Sequence, residues 1–159
     1  MQIKENVLLA PYTAFKIGGP ARFFCEAQSK DELKEAVVWA RENSLPVFVL
    51  GDGSNILVSD EGFNGLVLRN KILGMRAKAH GRFLRVKVGA GENWDKFMEF
   101  AVKNNASGAE CLSGIPGSVG AAPVQNIGAY GQSAGETIES VNVLDMIAGK
   151  EVVFRNKDC

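Results

Sequence analysis

The order of apolar and polar residues predicts a strand, a helix and a second strand in the first fifty residues. Ala21–Ala27 is expected to form a strand, and Val47–Leu50 is a short continuous apolar run that suits a buried parallel strand. Ser29 and Glu32 stand three residues apart before the helix and predict a capping box. A strand, helix and strand of this length indicate a right-handed crossover unit, to which Gly65–Arg69 adds another strand. The expected inner face of the helix is Leu33, Ala36, Val37 and Ala40.

A different pattern begins with residues 71–80, which are basic and polar and are expected to form a passage between two lobes. Phe83–Val88 then alternates apolar and charged residues, which is typical of an antiparallel strand with one face in water. Asn93 is expected to cap a second helix, and Ser140–Met146 and Glu151–Phe154 flank a turn and predict a hairpin. The expected inner face of the second helix is Trp94, Phe97, Met98 and Ala101.

Residues 114–131 carry no charge, contain a glycine every few positions and include two prolines. This composition disfavours a long helix or a central strand, so we expect a compact apolar loop with at most one short helical turn. Glycine lets the backbone approach a neighbour closely, and a buried loop needs partners for its N–H and C=O groups. A large flat ligand with a polar edge would provide such partners. A tightly packed structural loop is the alternative explanation.

A second glycine-containing loop, Leu50–Asn55, directly follows a predicted strand. Gly51 and Gly53 permit positive φ angles, so successive backbone N–H groups can form an anion-binding nest, to which serine and asparagine side chains add donors. A diphosphate suits such a nest, and a simple turn is the alternative. The loop is not a dinucleotide-binding fingerprint, because Ile56 stands where the third glycine would be, and it is not a P-loop, because no Gly-Lys-Ser/Thr follows.

The amino-acid composition argues against several kinds of partner and site. Basic and acidic residues balance at 18 each, so nothing favours nucleic acid or an anionic membrane as a partner, and no apolar run has the length of a membrane span. Cys25, Cys111 and Cys159 are widely spaced, which argues against a disulfide framework or a CxxC metal site and indicates a reducing cytoplasm. His80, the only histidine, is expected in a surface turn. We find no paired carboxylates and no nucleophile elbow, so we predict no catalytic residue and no metal ligand in this chain.

Four stretches, taken together, carry a family resemblance: Thr13–Ala21, Leu50–Leu57, Val88–Trp94 and Ile115–Gly131. In this order and spacing they resemble the UDP-N-acetylenolpyruvoylglucosamine reductase (MurB) family of bacterial peptidoglycan synthesis, over nearly the whole chain. The resemblance implies an α+β, two-lobed FAD-binding fold of the vanillyl-alcohol oxidase (PCMH-type) superfamily. Residues 1–70 would form a small α/β lobe with a parallel sheet, residues 71–159 a second, mostly antiparallel α+β lobe, and FAD would lie extended between them.

The resemblance assigns FAD contacts to two loops. The diphosphate is expected on Gly51, Asp52, Gly53, Ser54, Asn55 and Ile56. The isoalloxazine and ribityl portions are expected along Gly114, Ile115, Pro116, Gly117, Ser118, Gly120, Ala121, Asn126, Ile127, Gly128 and Ala129. No histidine or cysteine lies between Leu50 and Asp60, which favours noncovalent FAD.

The chemistry implied by the resemblance is that of a flavin-dependent reductase. NADPH reduces the flavin, and the reduced flavin passes hydride to the enolpyruvyl group of a UDP-sugar, giving UDP-N-acetylmuramate. In relatives, the catalytic arginine, serine and glutamate follow the position of Cys159, the last residue here, so we expect a chain truncated before the substrate-binding domain and inactive by itself. The alternatives are a flavin-binding module without turnover and another flavin oxidoreductase of the same fold. We also expect a cytoplasmic protein that is monomeric at full length.

Overall fold

The computed structural model describes residues 1–158, which divide into two compact units. One unit consists of Met1–Ile72 together with Met146–Gly149, and the other of residues 73–145 and those from 150 onward. The division after residue 72 lies close to the lobe boundary expected after residue 70. The turn at 146–149, which was expected to belong to the second lobe, is grouped with the first unit.

The first unit is built on a four-stranded sheet in the order β1-β2-β4-β3. Its strands are β1 (Lys4–Leu8), β2 (Pro20–Ala27), β3 (Val47–Leu50) and β4 (Phe63–Asn70). β1 runs antiparallel to β2, whereas β4 runs parallel to both β2 and β3. The sheet is therefore mixed, and the expectation of a parallel sheet is wrong at β1. The sequence did not indicate β1 because its side chains are mostly exposed, so no alternation of burial marks it.

The predicted strand–helix–strand segment is confirmed, but β4 lies between β2 and β3. This places β3 at an edge of the sheet, and Val49 is 51% exposed, so the expectation of a buried strand is wrong. A short apolar run by itself does not distinguish an edge strand from a central one. The distinction depends on where a later strand, here β4, inserts into the sheet.

Helix α1 (Lys30–Glu42) packs on β2 and β4 and begins at the predicted capping box. The Ser29 hydroxyl oxygen accepts a hydrogen bond from the Glu32 N–H at 3.1 Å, and the Glu32 carboxylate accepts one from the Gln28 N–H at 2.7 Å. Both bonds satisfy backbone donors at the start of the helix. Of the predicted inner face, Leu33 is only partly buried, and the other three residues are buried.

The two faces of this sheet are covered differently. On one face, the ring of Phe23 meets that of Trp39 in α1, with centroids 5.1 Å apart. On the opposite face, strand alternation places Phe24, which packs in a buried cluster with Leu9 and Val67. Partly buried side chains complete this cluster, three of them from strands (Val7, Phe48 and Phe63) and three from connecting segments (Tyr12, Ile56 and Val58). Loops therefore cover the face that α1 leaves open.

The second unit contains three two-stranded antiparallel sheets among its described residues. The pairs are β5 (Met75–His80) with β6 (Phe83–Val88), β7 (Gly128–Ala129) with β8 (Gln132–Ser133), and β9 (Ser140–Asp145) with β10 (Lys150–Arg155). The predicted strand at residues 83–88 and the predicted final hairpin are confirmed. Residues 71–80 are not simply a connecting passage, because β5 lies within them and His80 is its exposed last residue rather than part of a turn.

Helix α2 (Trp94–Lys103) organises the core of the second unit. The Asn93 side chain caps it by accepting a hydrogen bond from the Lys96 N–H at 3.1 Å, as predicted. The Trp94 indole N–H donates to the Leu112 carbonyl at 2.9 Å, which ties the helix to the segment before the glycine-rich stretch. Of the expected inner face, Phe97 and Ala101 are only partly buried. The buried cluster consists of Trp94, Met98, Leu112, Ala122 and Ala134.

Candidate functional site

In the first unit, residues 10–19 lie against the loop that follows β3. The Ala14 N–H donates to the Gly53 carbonyl at 3.0 Å, and the Gly19 N–H donates to the Ser59 carbonyl at 2.8 Å. This segment begins with a short 3-10 helix, Ala10–Tyr12. Its backbone bonds make the two loops a single hydrogen-bonded structure. The N-terminal motif thus supports the predicted diphosphate loop.

Gly53 is a position at which these two loops approach each other closely. Its φ is +67°, and a Cβ atom there would overlap the carbonyl oxygen of Tyr12. Among the described residues, the N–H groups of Asp52, Gly53 and Ser54 donate to no recorded protein acceptor. Three successive backbone donors beside a glycine of positive φ are the groups from which an anion-binding nest is built. The loop therefore fits the requirements of a phosphate or diphosphate.

The other residues predicted to hold a diphosphate differ in their surroundings. Gly51 is partly buried and Asn55 is exposed. The side chain of Ile56 packs against the buried cluster around Phe24, so any contact it makes with an anion would come from its backbone. These assignments stay predictions.

Arg69 of β4 also reaches this loop, and the sequence did not single it out. Its guanidinium Nη2 lies 3.9 Å from a carboxylate oxygen of Asp52, and its Nη1 lies 3.0 Å from one of Glu26. The available signal was a single arginine that follows the apolar run Leu66–Leu68 of β4. Without the strand register, the sequence did not reveal its two acidic neighbours.

In the second unit, the glycine-rich stretch is paired with residues 89–94. Three N–H···O=C bonds of 2.8–2.9 Å join the two segments: Trp94 to Gly117, Val119 to Glu92, and Gly120 to Ala90. A Cβ atom on Gly120 would come within 2.7 Å of the Ala90 Cβ, so this pairing requires glycine. Two of the four motifs noted in the sequence therefore form one backbone-paired structure.

Asp95, in the first turn of α2, fixes the beginning of the glycine-rich stretch. One of its carboxylate oxygens accepts hydrogen bonds from the Gly114 N–H and the Ser113 hydroxyl, both at 2.7 Å. The backbone bond from Gly114, followed by the side-chain bond from Ser113, lowers the pKa of the Asp95 carboxyl. The sequence reasoning did not identify this anchor, because the two ends of the contact are 18 and 19 positions apart.

Within the stretch itself, the predicted ring contacts fall into two groups. Gly117 and Ser118 are buried beside residues 89–94, and Ser118 is 4% exposed. Three side chains pack against the core around Trp94 instead of pointing outward: Ile115, Ile127 and Ala129. The helical turn expected here is α3 (Ala122–Gln125). The remaining predicted contacts are exposed or partly buried: Gly114, Pro116, Gly120, Ala121, Asn126 and Gly128.

Each unit exposes large apolar side chains beside its candidate loop. In the first unit Leu57 is 74% exposed and Phe15 also lies at the surface, and in the second Tyr130 is 91% exposed and Val124 is exposed as well. None of these four residues belonged to the predicted contact set.

Two cysteines, Cys25 and Cys111, lie among the described residues. Cys25 is buried, and burial raises the pKa of its thiol to about 11, whereas Cys111 is partly exposed. Both thiols are free, and Cys159 lies outside the described residues. Within residues 1–158, no helix has the length and apolar character needed to cross a bilayer, and no three His, Cys, Asp or Glu side chains are grouped to hold a metal.

Comparison with known proteins defines the class of this chain. Residues 21–155 match the family model described as FAD binding domain, so the chain belongs to the family of FAD binding domains. A cholesterol oxidase structure is 20% identical, has a TM-score of 0.62, and is matched over 96% of this chain and 32% of its own. The α+β FAD-binding fold expected from the sequence is confirmed.

The more particular resemblance is also confirmed. The UDP-N-acetylenolpyruvoylglucosamine reductase of Thermobifida fusca is 43% identical over 98% of this chain, and that of Cutibacterium acnes is 43% identical over 98%. The match covers 44% and 42% of these relatives, so the chain spans less than half of their length. The crystal structure of MurB from Thermus caldophilus is 31% identical with a TM-score of 0.78, over 99% of this chain and 53% of its own.

Proposed function

We propose that this chain binds FAD noncovalently, as the flavin-binding part of an NADPH-dependent reductase acting on UDP-N-acetylenolpyruvoylglucosamine in peptidoglycan synthesis. The observation that carries the proposal is the loop after β3. The N–H groups of residues 52–54 have no recorded protein acceptor, and Gly53 allows the backbone to turn sharply against Tyr12. Such a loop suits a diphosphate, and the chain belongs to a family of FAD binding domains. The named relatives support the more specific reductase.

When bound, FAD would supply the hydride-accepting and hydride-donating ring. The contribution of this chain is to bind and orient the cofactor. The N–H groups of residues 52–54 would donate to the diphosphate. In the second unit, the paired segment around Gly117 and Ser118 would present backbone groups to the polar edge of the ring, with Asp95 fixing the beginning of that segment. Backbone donors suit this task because their positions are set by the fold and need no reorganisation on binding.

Noncovalent attachment is favoured by the residues near the loop. No histidine or cysteine lies between Leu50 and Asp60, and the thiol of Cys25 is buried with a raised pKa, so it is a poor nucleophile. Because the thiols of Cys25 and Cys111 are free, we infer a reducing compartment, the cytoplasm. We expect the UDP-sugar and NADPH as the partners of the whole enzyme, a monomeric enzyme, and no nucleic acid or membrane partner.

We further propose that residues 1–159 do not reduce the sugar by themselves. In the described part of the chain, His80 is exposed at the end of β5, and the carboxylates at the two candidate loops are engaged with other groups: Asp52 with Arg69, and Asp95 with Ser113 and Gly114. No positioned general acid is evident among them. A missing general acid lowers the rate by about 10²–10⁴-fold, and missing substrate positioning lowers it further.

The test is a titration of the purified chain with FAD, followed by flavin fluorescence and by the absorbance of flavin released on denaturation. We expect saturable binding, with FAD bound more tightly than riboflavin because riboflavin lacks the diphosphate and the adenosine attached to it. Absence of binding would refute the cofactor assignment. For turnover, the FAD-loaded chain is incubated anaerobically with NADPH and the enolpyruvyl sugar. Product formation at the rate of an ordinary enzyme would refute the proposal that this chain is inactive alone.

A further inference from the structure

Arg69 occupies a central position in the sheet of the first unit. It lies in β4 and pairs in register with Glu26 of β2 on one side and with Leu50 of β3 on the other. Its guanidinium Nη1 donates to the Glu26 carboxylate at 3.0 Å. Its Nη2 lies 3.9 Å from Asp52, which follows β3, and its guanidinium carbon is 5.1 Å from the centre of the Tyr12 ring. One side chain thus contacts the sheet and both loops of the candidate anion site.

The surroundings of Arg69 are unusual for a cation. The side chain is only 20% exposed, and its Nε atom is buried without a recorded hydrogen-bond partner among the described residues. Burial of a charged group is unfavourable unless other charges compensate it. Two carboxylates do so here, and both keep more solvent contact than the arginine. The arginine is therefore held by its neighbours in one place, beneath the loop.

Asp52 presents a difficulty for an anion-binding loop, since its carboxylate has the same charge as a diphosphate. The N–H groups of residues 52–54 attract an anion, whereas the side chain of Asp52 repels it. Arg69 faces that carboxylate and offsets its charge. The ring of Tyr12, whose carbonyl borders Gly53, lies against the same guanidinium.

We propose that Arg69 is a positioning residue for the anion-binding loop: it anchors Asp52 and Tyr12 at the end of the sheet and neutralises the carboxylate that would otherwise repel a diphosphate. The inference rests on the proposed binding of FAD. On this inference, Arg69 acts through Asp52, and it affects the part of the FAD affinity that the diphosphate contributes.

The experiment compares the affinities of four proteins and one control variant for FAD and riboflavin by fluorescence titration at two salt concentrations. The proteins are the parent chain and its Arg69→Met, Asp52→Asn and Arg69→Met/Asp52→Asn variants. Arg22→Met is the matched control, because Arg22 also lies 5.1 Å from an aromatic ring and has a polar partner, Asn64, but has no recorded contact with residues 51–55. Thermal unfolding of each variant is measured in parallel.

We expect Arg69→Met to weaken FAD binding by about tenfold, because the Asp52 carboxylate is then left uncompensated in the anion-binding loop at partial solvent exposure. Riboflavin binding should change less, and added salt should recover part of the loss because it screens the repulsion. Adding Asp52→Asn should restore most of the affinity. Arg22→Met should bind FAD like the parent. Asp52→Asn alone should bind FAD more tightly than the parent, and this variant decides the question if Arg69→Met does not fold.

Three results would overturn the inference. The first is an Arg69→Met variant that binds FAD like the parent. The second is an equal loss for FAD and riboflavin with no recovery by Asp52→Asn, which would reduce Arg69 to a purely structural role. The third is weaker FAD binding by Asp52→Asn alone. A parent chain that binds no FAD would instead refute the proposed function, and this inference with it.

Discussion

Replacing Gly53 with alanine tests whether the close approach of two loops creates the candidate anion site. At φ +67° an alanine is in the left-handed region, and its Cβ would also overlap the carbonyl oxygen of Tyr12. Gly81 is a matched control, since its φ is +60° and a Cβ there would have no heavy atom within 4 Å. Gly81→Ala therefore introduces backbone strain without crowding, and Gly53→Ala introduces both.

The magnitudes follow from these contacts. Gly81→Ala should lower the free energy of unfolding by about 1–2 kcal/mol, the strain of a left-handed residue that has a Cβ. Gly53→Ala adds crowding against a backbone atom, worth roughly 1–3 kcal/mol. It should also weaken the hydrogen bond from the Ala14 N–H to the Gly53 carbonyl, which contributes about 0.5–1.5 kcal/mol. Movement of the loop away from Tyr12 would displace the donors at residues 52–54.

The assay is urea unfolding of both variants, combined with FAD titration. We expect Gly53→Ala to be more destabilised than Gly81→Ala and to bind FAD at least tenfold more weakly, which corresponds to about 1.4 kcal/mol of binding energy. Gly81→Ala should keep the affinity of the parent. Equal stability and equal FAD affinity in the two variants would show that the crowding at Gly53 does not shape the site.

Three further predictions concern other positions. Hydrogen bonds hold the pKa of the Asp95 carboxyl below its usual value, so the contact between Asp95 and Gly114 is complete above the usual carboxyl range and is lost as the pH falls through the folded-state pKa. Hydrogen exchange of the Gly114 amide should show this loss. The Asp95→Asn variant should abolish the pH dependence. Gly117→Leu, at φ +139°, should weaken FAD fluorescence quenching without changing the far-UV circular dichroism, and unchanged quenching would contradict the ring assignment. In a variant whose only cysteine is Cys25, a thiol reagent at pH 8 should react only when the protein unfolds, because burial raises the pKa of this thiol to about 11. Rapid reaction of the native protein would refute this prediction.

Local sequence signals predicted the elements whose stabilising contacts are short-range. Ser29 and Glu32 are three positions apart, and their capping bonds form within one helical turn. The same holds for Asn93, which caps α2 across the same separation. The alternation in Phe83–Val88 also predicted a strand, because every second side chain there is partly buried. Contacts of this range are specified by neighbouring residues, so the sequence reveals them directly.

Strands without a buried face were not predicted from the pattern of apolar residues. β1 and β5 are formed by backbone hydrogen bonds to β2 and β6, while their own side chains are mostly exposed. Backbone pairing does not depend on residue type, so neither strand left a clear pattern of apolar positions. The edge position of β3 was missed for a related reason, since it was decided by the later strand β4.

For the candidate site, the amino-acid sequence determined the two glycine-containing loops and their resemblance to a family of flavin-dependent reductases. Only the tertiary structure showed what holds each loop in place: residues 10–19 and Arg69 for the loop after β3, and residues 89–94 and Asp95 for the glycine-rich stretch. These partners lie well away from the loops in the chain. Which distant segments meet depends on strand order and register, and therefore on the packing of each unit as a whole rather than on any local run of residues.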